Sequence, residues 1–500
     1  MAHYFITSEE DPNASAIEIA QAQRIKLFNN FGQEAQIIEV RYNFWHSYAQ
    51  KILGTEGKVI NLYQYFQSLE FKEDPAIDRV LINQILQNSG YEVKNSVAYR
   101  NGKVRIKIEM RTNRLYTASY YDQYGFLDRK DYYDDGCLSY TEFFEDRERL
   151  VLREYYNNEG HPVILFHFRG GQGNRPILSL IQLYYRDVWR DFDNLYEFRA
   201  YFFDEICRND LHSVLYADRS NYTLDSFKIM EESVPRYMIF HSAITIDGQR
   251  NGQVFPMYQG IKKMLQDGSL TGLISSTNAE ADDAANIFDT DHSYAIPVTY
   301  TKPNIKQVPF AVRTPYNLIA VARLDEVKRL DHIIRAVVTL HRKFPQLRLT
   351  FYGLLRSSAD EETEPKLRQM VTQLDADQYI FFGGFVHDLT DIYDHAWLEI
   401  LTSKYEGFAM ALLEAQEHGC PAVAYNINYG PNEIISDNYS GKLVPAGDET
   451  HLLNTLDSLL SNPNILENYS YNAYKTAQRY SFKNVSIAWQ GFQQREGLLA

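Results

Sequence analysis

Several side chains in this sequence stand where a fold could gather them around a phosphorylated ligand. Arg323 and Lys328 occur in Val321-Ala322-Arg323-Leu324-Asp325-Glu326-Val327-Lys328-Arg329, directly after an apolar run, so both cations can be presented where the next helix begins. A helix N-terminus already favours anions. A forked guanidinium beside a point-charge ammonium suits a diphosphate. Gly383-Gly384-Phe385 follows another apolar run, and two missing side chains let a flat ligand approach the backbone. Glu406 and Glu414, eight residues apart, flank Gly407-Phe408-Ala409-Met410. If a helix starts near Gly407, they lie about 80° apart around its axis and about two turns apart along it, within reach of one ligand. His241 ends the apolar run Tyr237-Met238-Ile239-Phe240, a position that catalytic groups favour in open α/β sheets. Taken singly, each feature also fits solvated surface charge or a satisfied strand-end histidine.

The elements that must position these residues alternate. From Leu318 the pattern reads strand (Leu318 to Ala322), helix (Asp331 to Phe344), strand (Leu347 to Tyr352) and helix (Lys366 to Leu374). Ile380 to Phe382, Leu398 to Leu401 and Ala422 to Tyr425 read as further strands, with a helix from Met410 to His418. The chain opens with a similar strand, helix and strand, His3 to Thr7, Ile17 to Phe28 and Gln36 to Val40, and the alternation resumes after about residue 205. Gln307 to Pro315, with Pro309 and Pro315 at its ends, reads as a linker.

Between about residues 90 and 200 the texture changes to short alternating runs, beginning with the hairpin dipeptide Asn101-Gly102. Tyr120-Tyr121, Tyr132-Tyr133 and Tyr155-Tyr156 each lead into a polar turn closed by Gly125, Gly136 or Gly160. This degenerate repeat predicts an antiparallel meander, with one tyrosine of each pair on either face of the sheet. Arg169-Gly170-Gly171-Gln172-Gly173 resembles a phosphate loop only superficially. No Lys-Ser/Thr or clear helix follows, so it reads as a hairpin turn.

Length and composition set the limits. Five hundred residues, 45% of them hydrophobic, can build two or more cored domains. Fifty basic against 65 acidic residues leave a net charge of −15, which disfavours a duplex-DNA or anionic-membrane binder and predicts no nucleic-acid partner. Three cysteines without CxxC spacing point to a reducing compartment, expected to be the cytoplasm, and away from a thiolate zinc site. No export signal and no transmembrane helix are expected. Asp289-Thr290-Asp291 is the one tempting metal motif, but it reads as a surface acidic patch, and no metal is expected.

Considered together, the motifs resemble a known family. The run Val321 to Leu330, Tyr352-Gly353, Gly383-Gly384-Phe385, Tyr405-Glu406-Gly407-Phe408 through Glu414-Ala415, and Gly419-Cys420-Pro421-Ala422 are similar, in order and spacing, to the C-terminal half of retaining GT-B glycosyltransferases of family 4. Asn428-Tyr429-Gly430-Pro431 and Gly441-Lys442-Leu443-Val444 resemble the subgroup of teichoic-acid glycosyltransferases and accessory Sec serine-rich-adhesin glycosyltransferases. Ala16 to Arg24 looks most like the adhesin-modifying branch.

The resemblance implies an α/β GT-B fold. An N-terminal Rossmann-like acceptor domain would span residues 1–70 and 205–310, a β-meander insertion 71–204, and a nucleotide-sugar domain 311–482, with a helix at 483–500 returning to the N-terminal domain. It implies a UDP-sugar donor, no separate cofactor, and retention of anomeric configuration in transfer of glucose or N-acetylglucosamine. The acceptor is expected to be a serine-rich protein or, alternatively, teichoic acid. A non-catalytic binding subunit is a further alternative, opposed by the presence of every expected charged residue.

Position by position, Arg323 and Lys328 would hold the diphosphate, Glu414 the ribose, Gly384 and Phe385 the uracil. Glu406, with Gly407, Phe408, Ala409 and Met410, would line the donor, and His241 would face its sugar. The family's usual Gly-Gly loop is replaced here by Asn13-Ala14-Ser15, leaving Ser15 as an acceptor or phosphate contact. Ala409 and Ala411 are milder departures. A homo-oligomer formed through the meander, a related transferase subunit as partner, and a peripheral position at the inner membrane face complete these expectations.

Overall fold

The computed structural model describes all residues except 12–14, 71–73, 88–89, 147, 172, 174, 211, 304, 354–361 and 500. Among the described residues, strands group into two parallel sheets and one antiparallel sheet. Strands β1 (Ala2–Thr7), β2 (Glu34–Glu39) and β3 (Val59–Asn61) pair in parallel, because each is followed by a helix that carries the chain back across the sheet. After a long excursion the chain rejoins the free side of β1, so the order across this sheet is β17-β16-β15-β14-β1-β2-β3. β1 is buried along its whole length, as expected where helices cover both faces of a parallel sheet.

The excursion is the meander. Ten strands follow one another as sheet neighbours, from β4 (Glu92–Lys94) and β5 (Val97–Arg100) through β6 (Lys103–Arg111), β7 (Arg114–Tyr121), β8 (Leu127–Asp134), β9 (Cys137–Glu145) and β10 (Arg149–Tyr156) to β11 (Pro162–Gly170), β12 (Pro176–Tyr185) and β13 (Val188–Phe192). The tyrosine pairs stand at the ends of β7, β8 and β10. Their alternation has the predicted effect. Tyr132, Tyr140 and Tyr155 join the aromatic core that anchors the sheet on Tyr63 and Phe198, whereas Tyr120 and Tyr133 pack with Leu86, Ile106 and Ile108 on the other face. Gly170 and Gly171 lead from β11 into the next turn; Gln172 lies outside the described residues.

Strands β14 (Ser213–Ala217), β15 (Arg236–Ile239), β16 (Gly272–Ser275) and β17 (Ser293–Ala295) complete the first parallel sheet. Beyond the linker come β18 (Asn317–Val321), β19 (Arg348–Tyr352), β20 (Ile380–Gly384), β21 (Leu398–Leu401), β22 (Ala422–Asn426) and β23 (Gly441–Pro445), ordered β20-β19-β18-β21-β22-β23. In both sheets the chain order reverses beside the first strand: between β1 and β14, and between β18 and β21. Ligands of open α/β sheets bind outside the strand carboxyl ends at such reversals.

The chain crosses between halves twice. Thr301 forms a parallel bridge with Ser481, and the Thr301 N–H donates to the Tyr480 carbonyl at 2.9 Å. The final helix, Phe482–Arg495, then packs on the first sheet. Its Trp489 meets Phe28 edge-on at 5.1 Å between ring centres and Phe5 at 6.2 Å, and Tyr237 donates its hydroxyl to Glu496 at 2.6 Å. Among the described residues no helix is long and apolar enough to cross a membrane.

The helix expected from Met410 to His418 is found at Met410–Glu417, so the conditional start near Gly407 is not met. Ala409 occupies the left-handed region at φ 70°, which interrupts helical geometry just before that start. Glu406 therefore belongs to the preceding loop, and the shared-helix geometry proposed for Glu406 and Glu414 does not apply.

Candidate active site

The carboxyl ends of β18 and β21 are stitched together. Thr402 donates its hydroxyl to the carbonyls of Lys328 at 2.9 Å and Arg329 at 3.0 Å, and the Lys404 N–H donates to the Val327 carbonyl at 2.7 Å. These bonds hold the single turn Glu326–Lys328 over the sheet edge. Lys328 consequently points at Glu406: its Nζ is 2.6 Å from Oε1, which also accepts from the Ser403 hydroxyl at 2.6 Å. Both side chains are mostly buried. Arg323, on the same loop, is more than half exposed and pairs with Asp325 at 3.0 Å, so its guanidinium remains open to solvent on one side.

Gly384 ends β20 with φ +70°, and a side chain there would meet nothing within 4 Å. The residue type thus answers to backbone conformation, and the space before it is open. Its carbonyl accepts from the Gly353 N–H at 2.9 Å, which ties β20 to the end of β19. Phe385 packs edge-on against His387. Glu414, half-buried on its helix, accepts from the Tyr393 hydroxyl at 3.1 Å. Burial raises its carboxyl above the usual range, and the Tyr393 hydrogen bond works against that rise. Phe408 is buried against Tyr480, and Met410 begins the helix behind it.

The first sheet supplies the opposing wall. His241 follows β15 by two residues, and its Nε2 lies 2.6 Å from Asp218 Oδ1, just beyond β14. A carboxylate only accepts, so Nε2 carries the proton in this contact. Asp218 is itself gripped by Arg24 at 2.9 Å and Gln21 at 2.8 Å from the helix Ala16–Asn30. Burial pushes its carboxyl up, but Arg24, His241 and Gln21 outweigh burial and hold it at about 2.

Ser15 caps that helix. Its N–H donates to Glu18 at 2.6 Å, its hydroxyl also bonds Glu18, and Arg219 pairs with Glu18 at 2.6 Å. Asn13 and Ala14 lie outside the described residues.

The two walls touch. A β-carbon on Gly407 would come 2.7 Å from the His241 carbonyl carbon and 2.8 Å from the Ser242 nitrogen, closer than real contacts allow. Asn428 donates to the Gly248 carbonyl at 2.9 Å, and Tyr429 donates to Asp283 at 2.8 Å. Glu433 accepts from the N–H groups of Asn278 at 3.2 Å and Ala279 at 3.1 Å, placing a carboxylate on the N-terminus of the helix Asn278–Phe288. The structure therefore brings Lys328, Glu406, Gly407 and His241 together directly. Arg323 follows β18 and Gly384 ends β20, at the same edge of the second sheet with β19 between them. Asp289 pairs with Lys262 at 3.1 Å, on the loop after Phe288.

Sequence reasoning missed Asp218, Arg24 and Tyr393. Asp218 had a signal, since Val214-Leu215-Tyr216-Ala217-Asp218 has the same strand-then-polar form that singled out His241. Arg24 and Tyr393 had none, because their partners are remote in sequence.

Residues 301–476 match the family described as glycosyl transferases group 1. Over its length the chain is 22% identical to the poly(glycerol-phosphate) alpha-glucosyltransferase of Bacillus subtilis, covering 98% of this chain and 74% of that protein. It is 24% identical to the UDP-N-acetylglucosamine--peptide N-acetylglucosaminyltransferase GtfA subunit of Limosilactobacillus reuteri, covering 95% and 96%. The crystal structure of the pneumococcal O-GlcNAc transferase GtfA in complex with UDP and GlcNAc shares the fold, with a TM-score of 0.80 at 20% identity over 100% of this chain and 99% of that one. Residues 301–476, which contribute the Lys328 and Glu406 wall of this cleft, therefore belong to the glycosyl transferases group 1 family, and the chain is a glycosyltransferase of GT-B architecture.

Proposed function

We propose that the chain transfers N-acetylglucosamine or glucose from a UDP donor to a serine-rich repeat protein, at a Ser/Thr hydroxyl or at a sugar already attached. The observation that carries this reading is the cleft in which Lys328 meets Glu406 at 2.6 Å while Gly407 rests on His241. A departing nucleotide diphosphate gains negative charge in the transition state, and fixed cations in a partly buried cleft stabilise it as it forms. Arg323 and Lys328 serve that purpose. Glu414 holds the ribose, the Gly384-Phe385 backbone meets the uracil, and Ser15 remains a candidate phosphate or acceptor contact. The loop Glu406 to Met410 lines the donor, with His241 facing its sugar. Transfer with retention places the incoming hydroxyl on the face that UDP leaves.

The L. reuteri relative's name, which describes a peptide-modifying subunit, supports both the polypeptide acceptor and a related transferase as partner. The B. subtilis relative's name supports a second reading, a polyol-phosphate acceptor. The net charge of −15 favours the first, because like charge opposes encounter with a polyanion. Reducing-compartment cysteine usage favours a cytoplasmic enzyme, and a peripheral position at the inner membrane face is compatible with that placement. The meander, an open-edged sheet, is the proposed surface for self-association.

A donor-by-acceptor matrix tests the reading. UDP release is measured from UDP-glucose and UDP-N-acetylglucosamine with a serine-rich polypeptide, poly(ribitol phosphate), poly(glycerol phosphate) or no acceptor. Greatest turnover is expected with the polypeptide, and Lys328→Ala should abolish it. Turnover confined to polyol phosphates would reassign the acceptor, and failure to bind or turn over either donor would reject the assignment. Light scattering of the full chain at rising concentration tests self-association; a constant monomer mass would overturn it.

A further inference from the structure

A second concavity lies apart from the donor cleft. It has a volume of about 460 Å³ and opens between the helix His46–Leu53 and the ends of strands β6 to β8 of the inserted sheet. Its wall is aromatic. The rings of Trp45 and Tyr48 are 6.1 Å apart, with Tyr48 54% exposed, and Arg111 lies 3.8 Å over the ring of Tyr116 and 5.5 Å from that of Trp45. Its inner end is polar. Asp134 is buried, lines the cavity and accepts from the Tyr42 hydroxyl at 2.9 Å.

These groups select a ligand by chemistry. The volume is that of a small-molecule site, and such sites pair aromatic walls with a few placed polar groups. An aromatic face accepts the C–H face of a pyranose, and a carboxyl and a guanidinium together bond its hydroxyls as acceptor and donor. The charged lining is mixed, with Lys51, Arg111 and Arg114 beside two carboxyl groups. Asp134 and Asp135 both line the cavity, and Arg114 on its rim is already paired with Asp78 and, at 2.8 Å, with Asp135. Burial pushes the Asp134 carboxyl up to about 8, so near neutral pH it also donates a hydrogen bond to a hydroxyl.

Position indicates what would bring the sugar. Phe44 and Trp45 follow β2 at the carboxyl edge of the first sheet, the edge that also carries Asp218 beyond β14 and His241 beyond β15. A polymer laid along this edge passes both the transfer cleft and the cavity.

We propose that the cavity bounded by Trp45, Tyr48, Tyr116, Arg111 and Asp134 is a saccharide site, separate from the donor cleft, that takes a sugar already attached to the serine-rich acceptor. It rests on the polypeptide-acceptor reading for the source of the sugar. Holding a finished residue there keeps the polypeptide on the enzyme for its next transfer.

The test uses the full chain with saturating UDP, which fills the nucleotide site. Three probes are titrated by calorimetry and tryptophan emission: a serine-rich peptide bearing O-linked N-acetylglucosamine, the same peptide bare, and poly(ribitol phosphate) bearing N-acetylglucosamine. The glycopeptide should bind roughly five-fold more tightly than the bare peptide, the scale of one aromatic contact. Tyr48→Ala should erase that ratio, and Trp45→Phe should keep binding while removing the emission change. Tyr48 is largely exposed, so its truncation leaves the fold intact.

Equal affinity for both peptides, or a ratio that survives both Tyr48→Ala and Trp45→Ala, would overturn the site. Binding of the glycosylated polyol phosphate without the glycopeptide would overturn its assignment to a polypeptide-borne sugar. The two readings fail separately. Transfer to the bare peptide with no glycopeptide preference rejects the cavity alone, and glycopeptide preference without any transfer supports the cavity and rejects the acceptor reading.

Discussion

The backbone of Gly407 lies against that of His241, so close that any side chain at 407 would overlap the histidine carbonyl. The contact joins the loop after β21 to the loop after β15 and brings the proposed donor loop to the proposed sugar-facing imidazole. Gly407→Ala should push the walls apart by the misfit of one methyl group. We expect a cost of about 1–3 kcal/mol in stability and a fall in kcat of about 10²-fold. Thermal unfolding and steady-state transfer measure the two, and wild-type kcat in this variant would refute the contact's role.

Lys328 is paired with Glu406 at 2.6 Å. An arriving diphosphate would share or take over that ammonium. Lys328→Ala should lower kcat by about 10²-fold or more, the scale of losing one preorganised charge-stabilising donor. Glu406→Gln should leave UDP binding intact or tighter, because the lysine no longer has a competing carboxylate. Calorimetry with UDP decides this, and weaker binding in Glu406→Gln would contradict it.

Asp218 binds Arg24, Gln21 and His241 at once. Its pKa in the fold, about 2, is below that of an unfolded aspartate. The stability it contributes is therefore fully present above pH about 4 and is lost as pH falls toward 2. Asp218→Asn removes the charge partner of buried Arg24 and should cost about 3 kcal/mol at neutral pH. The loss should shrink as pH drops from 4 to 2, which unfolding experiments across that range would show; a pH-independent loss would exclude the linkage.

Glu10 behaves in the opposite sense. Burial and the Glu39 carboxylate raise its pKa to about 8, with Thr55 donating to both its oxygens at 3.1 Å. The folded state thus holds a proton that the unfolded chain releases near pH 4, so stability declines from pH about 4 to 8. Glu10→Gln, which mimics the protonated form, should flatten this part of the profile. Melting temperatures at pH 5 and 8 measure it, and an unchanged slope would reject the assignment.

Legibility of the site in the sequence followed the range of its interactions. Arg323, Lys328, Gly384 and His241 each follow an apolar run, and the carboxyl end of a parallel strand is where an α/β fold exposes polar groups. The tyrosine pairs were legible for the same local reason, since alternate residues of a strand face opposite sides. The helix start at Met410 was legible, whereas the left-handed conformation of Ala409 just before it, which its residue type disfavours, was not. Glu406 accordingly meets Lys328, not Glu414, as its neighbour.

The sequence by itself determined the alternating elements, the meander and the family resemblance, because periodicity and motif order are properties of neighbouring residues. Only the tertiary structure decided that Arg24 and His241 share Asp218, that Glu433 caps a helix of the other half, and that Gly407 closes on His241. Each of those contacts joins elements brought together by the reversal of strand order or by the docking of one sheet's loops against the other's. Their partners are tens to hundreds of residues apart along the chain, where no local pattern records which residues will meet.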